Sequence, residues 1–502
     1  MTASLPTTVL HEWHNMHKAR LDPCWFAETV LGFTGQWALD IWQRELFEAV
    51  ADVYRKKNGL PTKLNHEGKT QITIRAMHGP GKTFSTAGLM HWFNYCFYGR
   101  IVCTAPKEKQ LQTRLWPAFR KILAHAHPAY SRGIKVDSLN ITWHGDPDWC
   151  AIAETASTPE NLAGYHDDYM LIVVDEASGV DEAMFPVIEG MASTGKMVIV
   201  VLIGNPTKNI GTFYDSHMRP VVAKHYHQIH VDLNKTTRVS KEWVAKMEEK
   251  YGRNSPVVKV RCYGEFADMD EAQLIAYDWL TRALEDEREA DGSIPKLRVS
   301  VDVADGGVDS TVVTIARMYD TFTAVLERRL FNFPPAESPI LAAQAAMTAY
   351  YDYNGNPMNG DDLVVDSLGV GAGTAGYLIE KRMPVVAYRG GEASDDTKQW
   401  RNRRTQSYMC LRDALRDRRI TFGQQYNDGW DEFAAQACSI RTVPGSERVE
   451  DLETKESMKR RGIKSPDEVD SLAMLFATQT PTLPIRLEAV HTQQLVSAEA
   501  AW

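Results

Sequence analysis

Short apolar runs, each stopped by glycine, proline or a carboxylate, recur through the first half of the chain. Ile72 and Ile74 alternate with polar Thr73 and Arg75, and Gly79, Pro80 and Gly81 then end the strand. Residues 101–105 form a second apolar run that stops at Pro106, with Lys107, Lys109, Gln110 and Arg114 on the helix expected to follow. Residues 170–174 are five consecutive apolar positions, as in a strand buried on both faces, and Asp175 and Glu176 emerge at its end. Residues 197–203 repeat the pattern and end in Gly204-Asn205-Pro206-Thr207. Strands alternating with helical stretches predict an α/β unit built on a parallel sheet. Ahead of it, residues 1–50 read as helical, with aromatics at irregular spacing.

The pattern changes after residue 212. Residues 212–268 are mixed, with a charged helix near 241–251, and are expected to form a small lid subdomain. A highly charged helix at 278–296 runs into the turn formers Asp291, Gly292, Ser293 and Pro295, so 271–296 reads as a linker between domains at 1–270 and 297–485. Beyond it, residues 297–303 alternate as a strand with Asp302 in its middle. A glycine hairpin at Gly306 and Gly307 leads to a second strand at 311–315. Leu363, Val364 and Val365 end in Asp366 and a glycine-rich turn. Ser465 offers a cap for a helix in which Asp467 and Asp470, three apart, share a face. Residues 486–502 read as a tail.

Composition narrows the class only slightly. With 502 residues, 44% hydrophobic and 24% charged, the chain is of ordinary globular type and long enough for two to four cores of roughly 150 residues each. A net charge of −9 does not advertise a polyanion partner, although local basic patches can still bind one. Seven cysteines without a C-x-x-C pair argue against a disulfide framework or zinc site and suit a reducing cytoplasm. No apolar run approaches the ~20 residues of a membrane span, so a soluble protein without a membrane partner is expected.

The chemistry lies at the strand ends. Gly79 and Gly81 allow consecutive backbone N–H groups to converge on phosphate oxygens, Lys82 can reach the β- and γ-phosphates, and Thr83 can ligate Mg2+ at the start of the next helix. Ala76 stands where such phosphate loops carry their first glycine. Asp175 suits the hydration shell of the Mg2+ and Glu176 the attacking water, while the Asn205 amide can sense the γ-phosphate. Gln43 is the candidate reader of the adenine edge. In the second half, a strand acid (Asp302), a strand-end acid (Asp366) and helix acids (Asp467, Asp470) are what two divalent cations need for phosphodiester hydrolysis. Lys398, Arg401, Arg403 and Arg404, then Lys455, Lys459, Arg460, Arg461 and Lys464, offer a path for DNA phosphates.

The motifs AMHGPGKT, ENLAGYH (160–166), VVDEAS, IGNPT, SVDVADGGVDST, VVDSLGVG and SPDEVDSLA, in this order, resemble the large subunit of tailed-bacteriophage terminases over nearly the whole chain. The resemblance implies a P-loop (ASCE/RecA-like) ATPase domain with a small lid, followed by an RNase H-like α/β nuclease domain. It implies ATP-driven translocation of double-stranded viral DNA into a procapsid and endonucleolytic cutting of concatemers. Lys82, Thr83, Asp175 and Glu176 match the motor positions, Asn205 the coupling motif, and Asp302, Asp366 and Asp470 the nuclease acids; Asp467 matches a position some relatives use. Arg75 and Arg114 are both candidates for the arginine that completes the ATP site. Mg2+ with ATP, two Mg2+ or Mn2+ ions at the nuclease site, a terminase small subunit, a portal and procapsid, a homo-oligomeric ring and the host cytoplasm complete the expectation. A cellular repair ATPase-nuclease would carry a second motor domain after residue 270, where the acids stand instead. A non-catalytic docking module would lack one of the three nuclease acids.

Overall fold

The computed structural model describes residues 15–65, 67–155, 162, 164–267, 272–304, 309–444 and 450–478. The chain divides into two compact units, Met1–Asp268 and Met269–Trp502. Residues 160, 161 and 163 of the ENLAGYH stretch, the Gly306-Gly307 turn and the expected tail lie outside the described residues. No described helix is long and apolar enough to cross a membrane.

The first unit is built on eight strands: β1 (Gln71–Ala76), β2 (Arg100–Ala105), β3 (Ile134–Val136), β4 (Asn140–Trp143), β5 (Asp146–Thr155), β6 (Tyr169–Asp175), β7 (Met197–Gly204) and β8 (Tyr226–Val231). They stand in the order β3-β4-β5-β2-β6-β7-β1-β8, parallel from β5 to β8, with β3 and β4 added as an antiparallel edge. All eight residues of β7 are buried, because it runs between β6 and β1 with both faces covered. A strand inserted between the phosphate-loop strand and the acidic strand is the ASCE order. β8 pairs with β1 as part of this sheet, so residues 226–231 of the stretch expected as a lid belong to the sheet. The irregular aromatics of the N-terminal stretch find their reason here: Phe26, Phe33, Trp42 and Phe47 are fully buried with Trp92, Phe93, Trp116 and Phe119.

The second unit carries β9 (Lys296–Asp302), β10 (Thr311–Met318), β11 (Thr323–Phe331), β12 (Asp362–Asp366), β13 (Val385–Tyr388) and β14 (Ile420–Phe422), in the order β13-β12-β9-β10-β11-β14. β9, β10 and β11 form an antiparallel meander, and β12 and β13 join β9 in parallel, which is the RNase H-like arrangement. A short antiparallel pair, β15 (Thr442–Pro444) and β16 (Glu450–Leu452), stands apart. Val299, Val301, Val313 and Ile315 face helix Ser338–Asp352 through Ala343, Ala346 and Ala349. The alternate residues Ser300 and Thr314 face helix Asp467–Met474 on the other side, as the strand period of two requires. Helix Tyr277–Glu285 packs on β14 and on helices Arg403–Arg416 and Trp430–Ser439, so the stretch expected as a linker contributes a helix to this unit.

Candidate active sites

The phosphate loop follows β1 directly. Its positive backbone angles fall at Gly79 (φ +81°) and Gly81 (φ +93°), whereas Ala76 is the last, extended residue of β1. The missing first glycine therefore leaves no strained alanine, because the turn is made three residues later. A Cβ on Gly81 would also meet the side chains of Arg238 at 3.1 Å and Gln43 at 3.2 Å. Helix Lys82–Cys96 starts at once, so Lys82 and Thr83 sit in its first turn, where unpaired N–H groups and the helix dipole attract anions.

Lys82 Nζ donates to Asn205 Oδ1 at 2.7 Å, and Asn205 Nδ2 donates to the Ala76 carbonyl at 2.6 Å. One buried amide at the end of β7 thus ties the loop lysine to the end of β1. On the neighbouring strand, burial and the adjacent Glu176 push the Asp175 carboxyl up to about 6, against the lowering influence of Lys82, the Glu176 N–H and Arg114. Glu176 is held left-handed at φ +48°, an unfavourable conformation for a glutamate, and its N–H donates to Asp175 Oδ1 at 3.1 Å. Ser178 and Thr207 hydroxyls meet at 2.8 Å, joining the segments after β6 and β7.

The two arginine candidates separate. Arg114, in a π-helical turn at Leu111–Leu115, acts electrostatically on Asp175. Arg75 instead stacks on Phe266 beside His217 and His230. Gln43 lies against Gly81 but is fully buried. Its Oε1 accepts from the Asp40 N–H (2.8 Å) and Arg238 (3.3 Å), and its Nε2 donates to the Ser85 hydroxyl (2.7 Å). The opening beside the loop is a cleft of about 310 Å3 lined by Gln36, Trp37, Phe84, Lys121 and Arg238, with the Arg238 guanidinium over the Phe84 ring. Arg238 carried no sequence signal, since it arrives from the chain after β8.

In the second unit, Asp302, Asp467 and Asp470 bring carboxylate oxygens within 4.8 Å of one another. Asp302 is the last residue of β9 rather than its middle, opposite Val312 of β10. Asp467 and Asp470 open helix Asp467–Met474, whose cap position is Pro466 and not Ser465. Asp366 ends β12, and its Oδ1 accepts from the Leu368 N–H at 3.2 Å. It stands outside the tight group of three, yet close enough to act on Asp302. A Cβ on Gly371 would lie 1.8 Å from the Asp366 carbonyl, so only glycine lets the following helix begin there.

Burial, Asp470 and the other acids push Asp302 well above the usual carboxylate range, with Lys455 opposing them. Burial also raises Asp366 and Asp467. For Asp470 burial acts the same way but is outweighed by Arg404, Lys455 and Tyr408, which hold its carboxyl low. Lys455 Nζ lies 2.8 Å from Asp470 Oδ2, Arg404 Nε 3.4 Å from Oδ1, and the Tyr408 hydroxyl donates to Oδ1 at 2.6 Å. A crowded set of hard oxygen donors, buried or half-buried and partly neutralised by Lys455 and Arg404, suits divalent cations such as Mg2+ or Mn2+. Beside it runs a 390 Å3 groove whose lining includes Arg401, Asn402, Arg404, Thr454 and Lys455. Arg403 pairs with Glu392 and Arg461 with Glu453, so part of the expected basic path is spent on internal carboxylates.

A probable terminase large subunit of Enterobacteria phage P7 is 26% identical to this chain over 452 residues, spanning 83% of this chain and 87% of the relative. The chain resembles phage large terminases. No protein-family profile matches it. Among solved structures, the large terminase of a thermophilic bacteriophage overlaps 85% of the chain and 97% of its own at 12% identity and a TM-score of 0.39. The HK97 large terminase overlaps 91% and 98% at 13% identity and 0.38. The Sf6 large-terminase nuclease domain, determined with manganese, overlaps 41% and 99% at 20% identity and 0.34. Overlaps this loose say nothing about the sites, which rest on the geometry above. Against the large-terminase expectation, the partners missed in the sequence are Tyr408 and Arg238; neither stands in a motif.

Proposed function

We propose that this chain is a terminase large subunit that hydrolyses ATP in its first unit to drive double-stranded viral DNA into a procapsid and cuts concatemeric DNA in its second. The observation that carries the reading is the presence in one chain of two chemically complete charge sites: Lys82 and Asn205 at a phosphate loop near Asp175 and Glu176, and four acids around Lys455. In the motor, loop N–H groups and Lys82 bind the phosphates. Thr83 and Asp175 would hold the Mg2+ that accompanies ATP and offsets phosphate charge. Glu176 orients the attacking water and takes its proton. A γ-phosphate competes with Asn205 for Lys82; once freed, Asn205 changes its hold on Ala76, which is a route from hydrolysis to strand movement. Arg114 is the arginine assigned to the ATP site because it already acts on Asp175, and the base is seated in the cleft of Trp37, Phe84 and Arg238.

In the nuclease, Asp302, Asp467 and Asp470, with Asp366 at the margin, would hold two divalent cations, which supply charge neutralisation for the attacking and leaving oxygens. Arg404 and the groove beside it receive strand phosphates. The partners that follow are a small subunit, a portal and a homo-oligomeric ring in the host cytoplasm. The test incubates the full chain with plasmid, ATP and Mg2+ or Mn2+ and scores phosphate release and DNA cleavage separately. Both activities are expected, and a protein that binds ATP and folds yet shows neither would overturn the reading.

A further inference from the structure

The residue between Asp467 and Asp470 that matters next is Glu468, which stands outside the group of three carboxylates. Glu468 is 3% exposed, and its Oε2 lies 2.6 Å from Arg328 Nη1, itself on a side chain only 5% exposed. Arg328 comes from β11, two strands away from Asp302. Its guanidinium is stacked 4.8 Å from the Tyr426 ring and 5.2 Å from Phe433, and it donates to the Asp428 carbonyl at 2.6 Å. Gln436, from helix Trp430–Ser439, completes the arrangement from both sides: its Nε2 donates to Glu468 Oε1 at 2.9 Å, and its Oε1 accepts the Glu468 backbone N–H at 3.1 Å. The first turn of the acidic helix is therefore gripped through a side chain and a backbone group at one residue.

The other end of the helix is gripped as well. Arg298 donates to the carbonyls of Leu475 (2.9 Å) and Ala477 (2.6 Å) while paired with buried Asp362. Ser471 sits between them, hydrogen-bonded with Ser300 and Thr314. A buried ion pair is a poor source of stability, because a hydrophobic pair of similar volume does as well or better. What it offers is a fixed direction. A helix packed by apolar contacts alone can slide or rotate by a fraction of a turn, and such a shift would separate Asp467 and Asp470 from Asp302.

We propose that Arg328, Glu468 and Gln436 are positioning residues that set the rotation of helix Asp467–Met474, so that Asp467 and Asp470 meet Asp302 in cation-binding geometry. The proposal rests on the metal-site reading above and deepens it. None of the three residues touches the cations or the DNA; each acts through the two aspartates.

The test measures Mn2+ binding by calorimetry on the full chain, with no DNA present, alongside thermal unfolding. The double variant Arg328→Met/Glu468→Met removes the pair without changing net charge. A purely structural pair predicts an unfolding temperature at or above the parent's and unchanged Mn2+ affinity. Positioning predicts a folded protein whose Mn2+ affinity falls about tenfold or more, the usual cost of losing the groups that orient ligands. Gln436→Ala keeps the ion pair and removes both hydrogen bonds, and a smaller loss in the same direction is expected; it decides the matter if the double variant does not fold. Arg328→Lys keeps the charge but not the fork or the stacking, and its Mn2+ affinity should fall below the parent's. Unchanged Mn2+ affinity in a folded variant overturns the positioning role alone. A parent that binds no Mn2+, behaving like Asp302→Asn, overturns the metal site and the positioning role together.

Discussion

The two units handle charge in opposite ways. In the first, the candidate groups are neighbours in sequence, and the proposed binding would fall largely to the backbone: two left-handed glycines, a helix start and adjacent Asp175 and Glu176 at one strand end. In the second, four acids come from β9, β12 and one helix, and side chains from other segments make their proximity tolerable. Lys455, Arg404 and Tyr408 all converge on Asp470. A site made of backbone and neighbours is specified locally, whereas a cluster of like charges has to be assembled against its own repulsion and so depends on the whole unit.

The sharpest way to break this contrast is Asp302→Asn, which removes charge at the centre of the acid cluster. DNA cleavage should fall by orders of magnitude while ATP turnover persists, measured on the same preparation; parent-rate cutting with Mg2+ or Mn2+ would sink the cluster as the nuclease site. Chelation with EDTA should abolish both activities, and Mn2+ alone should restore cutting.

Next in size, Glu176→Gln should cut ATP turnover by about 10²- to 10⁴-fold, the usual worth of a general base, with nucleotide binding retained. Lys82→Ala should lose turnover and most of the binding, because Lys82 meets phosphate in the ground state. Equal loss of binding in both variants would mean that Glu176 is structural. Within the acid cluster, Asp470→Asn should be worse than Asp467→Asn. Asp470 faces three donors in the interior, while Asp467 is only half-buried and accepts from the Ser310 N–H at 3.3 Å. Tyr408→Phe deletes one hydroxyl that fixes Asp470, and about a tenfold drop in metal affinity is expected.

A separate effect concerns stability in the first unit. His91 is completely buried, stacked on Phe119, and its Nε2 meets the Phe119 carbonyl at 3.1 Å. Burial pushes its pKa down to about 3 against the opposing backbone hydrogen bond. The unfolded chain binds this proton below about 6.5 and the folded chain does not, so the stability is fully present above that pH and is lost as the pH falls towards 3. At pH 5 the loss is about 2 kcal/mol, readable in denaturant unfolding of the full chain, and a His91→Gln variant should show a shallower acid slope.

The candidate motor site was legible because the chemistry proposed for it needs consecutive residues: a strand, glycines, then Lys82 and Thr83; a strand, then Asp175 and Glu176. Even the anomaly at Ala76 has a local resolution, since the left-handed positions are Gly79 and Gly81. The place of Gln43 was not legible, because nothing in a helix sequence reveals that Asp40, Arg238 and Ser85 occupy its amide. The stretch at 226–231 belongs to the sheet and not to a lid, and a short mixed run does not announce which sheet it will join when its partner β1 lies far away in sequence. The helix at 277–285 hides its role in the same way, because its charge masks the apolar side that packs on β14.

The sequence by itself determined two α/β units, the glycine turn after β1, the adjacent acids at the end of β6 and the candidacy of each aspartate of the second unit, because these follow from local periodicity, turn chemistry and residue type. Only the tertiary structure decided which acids meet and at what distance, that Lys455, Arg404 and Tyr408 converge on Asp470, that Arg114 and not Arg75 bears electrostatically on Asp175, and that Glu468 pairs with Arg328. The physical reason is that electrostatic contacts between distant segments depend on strand order and helix rotation. Those are settled by the packing of the whole unit and leave no spacing to read along the chain.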